Sequence, residues 1–197
     1  MRARLTLAAG TAALALAGSV FAAAPALAVC TTASGDVCSG TTVATFTLTG
    51  GTLQISVPSG TSGTPDTLGG ATGVAGSSTS VSGALGAVSV SDQRAALAAA
   101  WTVSVASTAF TTGTASTQET VANTLIGYNP GTALAAVKTG TGTLTPVNAP
   151  ALGASTPVAS WAGVGVNTAS WNPTLTFTLL PNQVAGTYEG TITHSLV

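Results

Sequence analysis

Apolar and hydroxyl-bearing residues alternate with period two along much of this chain. That is the pattern of strands that bury one face and leave the other to water. From Thr42 to Val57 the pattern predicts a hairpin. Ala44, Phe46 and Leu48 alternate with threonines, Gly50-Gly51 offers a two-residue turn, and Leu53, Ile55 and Val57 continue the alternation up to Pro58. Pro58 to Ser80 is rich in Gly, Ser and Thr and reads as a loop, with one short strand near Thr67-Leu68. Leu85–Ser91 predicts a strand with Val88 and Val90 facing in, and Asp92–Ala99 a helical turn or loop. Trp101, Val103 and Val105 mark one face of the next strand, and Thr124–Tyr128 another strand that ends at Asn129-Pro130-Gly131. Ala133–Lys138 and Gly140–Pro146 carry weaker strand patterns, and Ala159–Val166 fits no single period. Leu175, Phe177 and Leu179 alternate with threonines, and Thr187–Val197 reads as a final strand with Tyr188, Ile192 and Leu196 on one face. Eight or nine short strands with turn signals between them predict an all-β fold: an antiparallel β-sandwich, immunoglobulin-like in general architecture.

The N-terminus departs from this pattern. Arg2 and Arg4 precede an apolar stretch from Leu5 to Val20, Pro25 interrupts it, and Ala26-Leu27-Ala28 supplies the small residues of a leader cleavage site. The stretch is shorter than the roughly 20 apolar residues of a spanning helix. Residues 1–28 are therefore expected to be a secretory signal peptide, 29–41 a short N-terminal segment, and 42–197 a single β-sandwich domain. Leu27-Ala28-Val29-Cys30 also approximates a lipid-attachment motif, but Val29 is large for the position before the cysteine. Export into an oxidising compartment and the presence of only Cys30 and Cys38 favour a disulfide between them. Closing so short a loop is worth about 2–3 kcal/mol in the chain-entropy account. No sorting motif or apolar tail lies near Val197, so covalent anchoring by that route is not expected.

Charge narrows the partners. Beyond the leader the basic residues are Arg94 and Lys138, against Asp36, Asp66, Asp92, Glu119 and Glu189. So few cations cannot displace the counterions of a nucleic acid, nor hold a chain to an anionic membrane. No catalytic centre is legible. His194 is the only histidine, no G-x-S-x-G elbow accompanies the many serines, and no D-x-D-x-D-G loop accompanies the acids. One histidine and two paired cysteines do not make a usual zinc set. No metal and no cofactor are expected. His194 shares parity with Ile192 and Leu196 and should point toward the core or the sandwich rim. Asp92 and Arg94, two residues apart at a strand end, are expected to stabilise a turn. Tyr188, after Val184-Ala185-Gly186-Thr187, fits a tyrosine corner whose hydroxyl bonds nearby backbone.

Exposed aromatics can stack on sugar rings, which makes the tryptophans candidate binding residues. Trp101 and Trp171 share parity with apolar neighbours and read as core. Trp161, in Ser160-Trp161-Ala162-Gly163, has no alternating apolar partners and is the tryptophan most open to exposure. Trp101, Trp161 and His194 are the candidate ligand-binding residues.

Three segments together resemble the WxL-type domain of Gram-positive cell-surface proteins. They are Leu85-Gly86-Ala87-Val88-Ser89-Val90-Ser91-Asp92-Gln93-Arg94, then Trp101-Thr102-Val103, and Ala185-Gly186-Thr187-Tyr188-Glu189-Gly190-Thr191-Ile192-Thr193-His194-Ser195-Leu196 near the end. The first motif is Trp-x-Val. The second, His194-Ser195-Leu196, has histidine where such domains have tryptophan. Beside that resemblance, the Ala- and Gly-rich composition suggests an actinobacterial relative. The resemblance implies a secreted, non-enzymatic protein associated non-covalently with peptidoglycan or another cell-wall glycan. Other readings stay open: a structural subunit or adhesin that assembles with other surface proteins through strand edges, and a secreted enzyme of unfamiliar type.

Overall fold

The computed structural model describes residues 43–60, 66–131 and 138–197. The expected leader, the Cys30–Cys38 bond and residues 133–137 of the weak Ala133–Lys138 strand lie outside the described residues. The chain divides into two units, Met1–Phe46 and Thr47–Val197. Every strand assigned among the described residues belongs to the second unit.

The fold is all-β and antiparallel, sandwich-like, with one sheet nearly closed. Eleven strands are assigned among the described residues: β1 (Leu53–Ser56), β2 (Ser80–Ala84), β3 (Val88–Asp92), β4 (Ala99–Ser107), β5 (Phe110–Thr111), β6 (Thr120–Val121), β7 (Ile126–Asn129), β8 (Lys138–Pro146), β9 (Thr156–Trp171), β10 (Thr174–Thr178) and β11 (Ile192–Leu196). The large sheet is built on β9. Its Ala159–Gly163 stretch pairs with β4 on one side and β8 on the other. Its Thr168 and Ala169 pair with β3 and, again, β8. β3 and β4 therefore lie end to end along one edge of β9. β1 extends β3 outward and β11 extends β4. The second sheet is β2-β10-β7, and β5-β6 forms a small ribbon.

Burial follows the pleat. Val88 and Val90 of β3, Trp101, Val103 and Val105 of β4, and Trp161, Ala169 and Trp171 of β9 turn inward. They meet Ile126, Tyr128, Leu175 and Phe177 of the second sheet in one core. Each such side chain, moved fully out of water, contributes roughly 1.5–3 kcal/mol before chain entropy is subtracted.

Three expectations are corrected. The Thr42–Val57 hairpin does not form. Residues 43–52 carry no strand, and β1 pairs with β3. The Gly51 amide bonds to the Gln93 carbonyl at 2.7 Å, so the glycine pair serves a contact across the sheet and not a tight turn. Phe46 and Leu48 are left 85% and 84% exposed. The ambiguous Ala159–Val166 stretch is the middle of β9, the longest strand. The final strand begins only at Ile192. The Phe110 ring fills the space a Cβ at Gly190 would need, with ring atoms 2.7 Å away. Glu189 keeps a single bridge to Thr111.

Candidate functional site

The outward face of the large sheet is made mainly of small hydroxyl residues, with Gln54 and a few alanines and valines among them. Inward Trp101 and Val103 put Thr102 and Ser104 of β4 outside. The register sets Ser195 of β11 against Ser104, Ser160 of β9 against Thr102, and Thr145 of β8 against Ser160. Farther along, Ser91 faces Thr168 and Thr168 faces Thr139, whose hydroxyls bond each other at 2.7 Å. Ser56, Ser89, Thr141, Thr143, Ser170 and Thr193 fill in the array. Ala100, Ala162, Val164 and Val166 keep it low. No charged side chain points outward from these strands among the described residues.

Beneath the face lies a polar network that sets its geometry. β3 and β4 can share one edge of β9 only if residues 93–98 loop out and return. Asp92 organises that loop. Its carboxylate, 0% exposed, accepts Arg94 Nε at 2.9 Å, Arg94 Nη2 at 2.9 Å and the Arg94 amide at 3.0 Å. Arg94 Nη2 also donates to the Ala100 carbonyl at 2.8 Å, across the loop. The Arg94 guanidinium bonds hold the Asp92 carboxyl below its usual range, against the opposing effect of burial. On the other side of the carboxylate, the buried Asn167 amide donates to Asp92 Oδ2 at 3.5 Å. The Asn167 carbonyl accepts Trp101 Nε1 at 2.8 Å. A buried charge so well satisfied specifies geometry more than it adds net stability.

Trp161, by its neighbours the tryptophan most open to exposure, is buried, at 2% exposed. It stacks on Trp101 with ring centroids 6.3 Å apart and planes at 11°. Its small neighbours make room for the ring. A Cβ at Gly142 would lie 2.7 Å from Trp161 Cζ2, and one at Gly163 would lie 2.7 Å from Nε1. Lys138 closes the open side, its Nζ 5.7 Å from the ring centroid. Trp161 Nε1 has no acceptor among the described residues. Neither Trp101 nor Trp161 can stack on an external sugar. They brace the sheet from within.

His194 is half-buried on β11, opposite Val105. Its Nε2 lies 3.2 Å from Tyr128 Oη, and that hydroxyl accepts Trp171 Nε1 at 2.9 Å. The phenol and the imidazole share one hydrogen bond, in which the ring tautomer decides which of them donates. Burial pushes the His194 pKa down to about 4, so the ring is neutral at ordinary pH. Burial raises the Tyr128 phenol as well. The structure thus brings Trp101 and Trp161 together and sets His194 apart from them. Tyr188 Oη donates to the Val184 carbonyl at 2.8 Å and, more weakly, to the Gln118 carbonyl at 3.3 Å.

Two recesses stand apart from this face. A cleft of about 1000 Å³ opens between β2, β10 and the 66–79 loop on one side and residues 108–113 and 183–192 on the other. Phe110 and Phe177, in edge contact at 4.9 Å, line it. A smaller recess of about 480 Å³ lies by Pro58, Leu85 and Asn172. Among the described residues no three His, Cys, Asp or Glu side chains gather as a metal set, and no helix is long and apolar enough to cross a membrane.

The hydroxyl face and the cleft were not singled out from sequence. The alternating Thr and Ser positions signal an outward face strand by strand, but only the register makes them one surface. Comparison with protein-family models, curated proteins and solved structures finds no match to this chain.

Proposed function

We propose that this chain is an exported, non-enzymatic protein held at the cell surface by non-covalent association with wall glycan, peptidoglycan foremost. The observation that carries this reading is the uncharged hydroxyl face of the large sheet. Serine and threonine hydroxyls both donate and accept, which matches the hydroxyls and amides of a glycan strand. Small side chains let an extended polymer lie close over several strands. The three segments behind the WxL resemblance support the reading, because they hold β3, part of β4 and β11, which belong to this one sheet. Val103 of the first motif sits opposite Leu196 of the second.

The test is sedimentation with isolated peptidoglycan. The wild-type chain is expected in the pellet. Thr102→Glu combined with Thr143→Glu puts two carboxylates on the face without placing them opposite each other, and should cut the bound fraction about tenfold or more. Near-UV circular dichroism of the buried tryptophans checks that the double variant is folded. Wild-type protein that stays in the supernatant, or a folded double variant that binds as well as wild type, refutes the proposal.

Assembly with other surface proteins is a second reading. It is favoured by the outer edges of β8 and β11, which pair with no strand among the described residues.

A further inference from the structure

Two unmatched features of the molecule have complementary chemistry. One is the stretch Val43–Thr49. It keeps the apolar and threonine alternation of a half-buried strand, yet among the described residues it pairs with none. Its large side chains face water, Val43 at 94%, Phe46 at 85% and Leu48 at 84%. Single exposed apolar residues are ordinary, but three within six positions of a strand-patterned stretch are not. The stretch carries no charge.

The other feature is the cleft of about 1000 Å³. Its lining includes Phe110, Leu175, Phe177 and Leu179, and Leu180 and Val184 are 44% and 42% exposed beside them. Beside the cleft runs β2, an edge strand. Past the Gly69–Ala84 bridge, the chain turns back on itself, with the Ala71 amide bonded to the Leu68 carbonyl. Antiparallel pairing alternates its direction. Since Ala84 points its backbone groups outward to Gly69, Ser82 and Ser80 point theirs outward too, with no strand among the described residues to receive them. An unpaired edge above an apolar floor is what a strand added from another chain requires. Seven extended residues span about 23 Å, long enough to cover an edge of this length.

We propose that Val43–Thr49 of one copy adds as a strand along β2 of a second copy, with Phe46 and Leu48 entering the cleft. The contact is heterologous, since arm and cleft are different surfaces. It therefore propagates into linear chains of molecules unless a ring closes. The proposal does not depend on wall binding.

The experiment uses the exported chain carrying a photoreactive phenylalanine analogue at position 46. Equal amounts of ordinary and nitrogen-15-labelled protein are mixed before irradiation. Expected are cross-links from position 46 to cleft residues such as Phe177 or Leu179 that join one isotope to the other, and a ladder of oligomers on a denaturing gel. In sedimentation velocity, wild type should grow with concentration. Phe46→Asp should weaken that growth about tenfold or more, as expected for losing one buried phenylalanine. Because Phe46 is exposed in the single chain, the variant should keep the wild-type near-UV spectrum. Cross-links confined to single copies, or a wild type that stays monomeric at every concentration, overturn the proposal. So does a Phe46→Asp protein that assembles like wild type. Growth that Phe46→Asp abolishes, with inter-copy links to the cleft, upholds it.

Discussion

Burial keeps the His194 ring neutral, and that has a measurable cost in acid. Its folded pKa of about 4 lies below the ordinary 6.5. As pH falls the unfolded chain takes up the proton first, so stability is full above about 6.5 and drains away down to about pH 4. Asp92 acts lower on the scale. Its carboxyl is held below 3.8, chiefly by the Arg94 hydrogen bonds. Its contribution is present above about 3.8 and is lost as pH falls through its folded value. The urea midpoint should therefore decline in two stages from neutral pH to about pH 3. His194→Gln, which cannot titrate and can still hydrogen-bond with Tyr128, should remove the upper stage and leave the lower one. A single unbroken decline in both proteins would refute the assignment. These roles were partly legible. The parity of His194 and the Asp92-x-Arg94 spacing pointed to core and turn. The partners Tyr128, Trp171 and Asn167 were not legible, because each is supplied from a distant part of the chain.

At the scale of elements, the crossing of β8 and β9 at Gly142 and Gly163 is a tight point. A methyl at Gly142 would lie 2.6 Å from the Ala162 carbonyl oxygen, which is backbone and cannot swing aside, and 2.7 Å from Trp161 Cζ2. Gly142→Ala should cost about 2 kcal/mol, measured by urea unfolding. Thr143→Ala next to it, on the outward face, should change little. This crossing also explains what the sequence concealed. β3, β4 and β10 announce themselves by clean alternation. β9 does not, because Gly163 sits at an inward position where an apolar side chain would have marked the period, and Gly165, at a φ of +71°, breaks the regular strand two residues on. The small residues around Trp161 left it the tryptophan most open to exposure, whereas Gly142 and Gly163 give the space into which the indole fits. The Gly50-Gly51 signal misled in the opposite way. It is a good local turn, but β1 pairs with β3, and local chemistry cannot announce a distant partner.

For the whole molecule, low charge is the property that reaches furthest. The full chain has four basic and five acidic residues, a formal net charge of −1. A contact made by an uncharged hydroxyl face does not rest on Coulomb attraction. Retention on peptidoglycan should then be unchanged between about 0.05 and 0.5 M salt, although the Debye length shrinks several-fold over that range. Release by moderate salt would point to the few charges outside the face.

The long strand β9 has a temporal meaning as well. Val88 must find Trp171, and Ala99 must find Gly163. A chain synthesised from its N-terminus holds β3 and β4 ready with nothing to join them until Thr156–Trp171 emerges. Pairings so far apart in sequence close slowly, on the order of milliseconds to seconds in proteins of this class. Such a polypeptide stays threadable while it is being made, and becomes rigid only when its last third arrives.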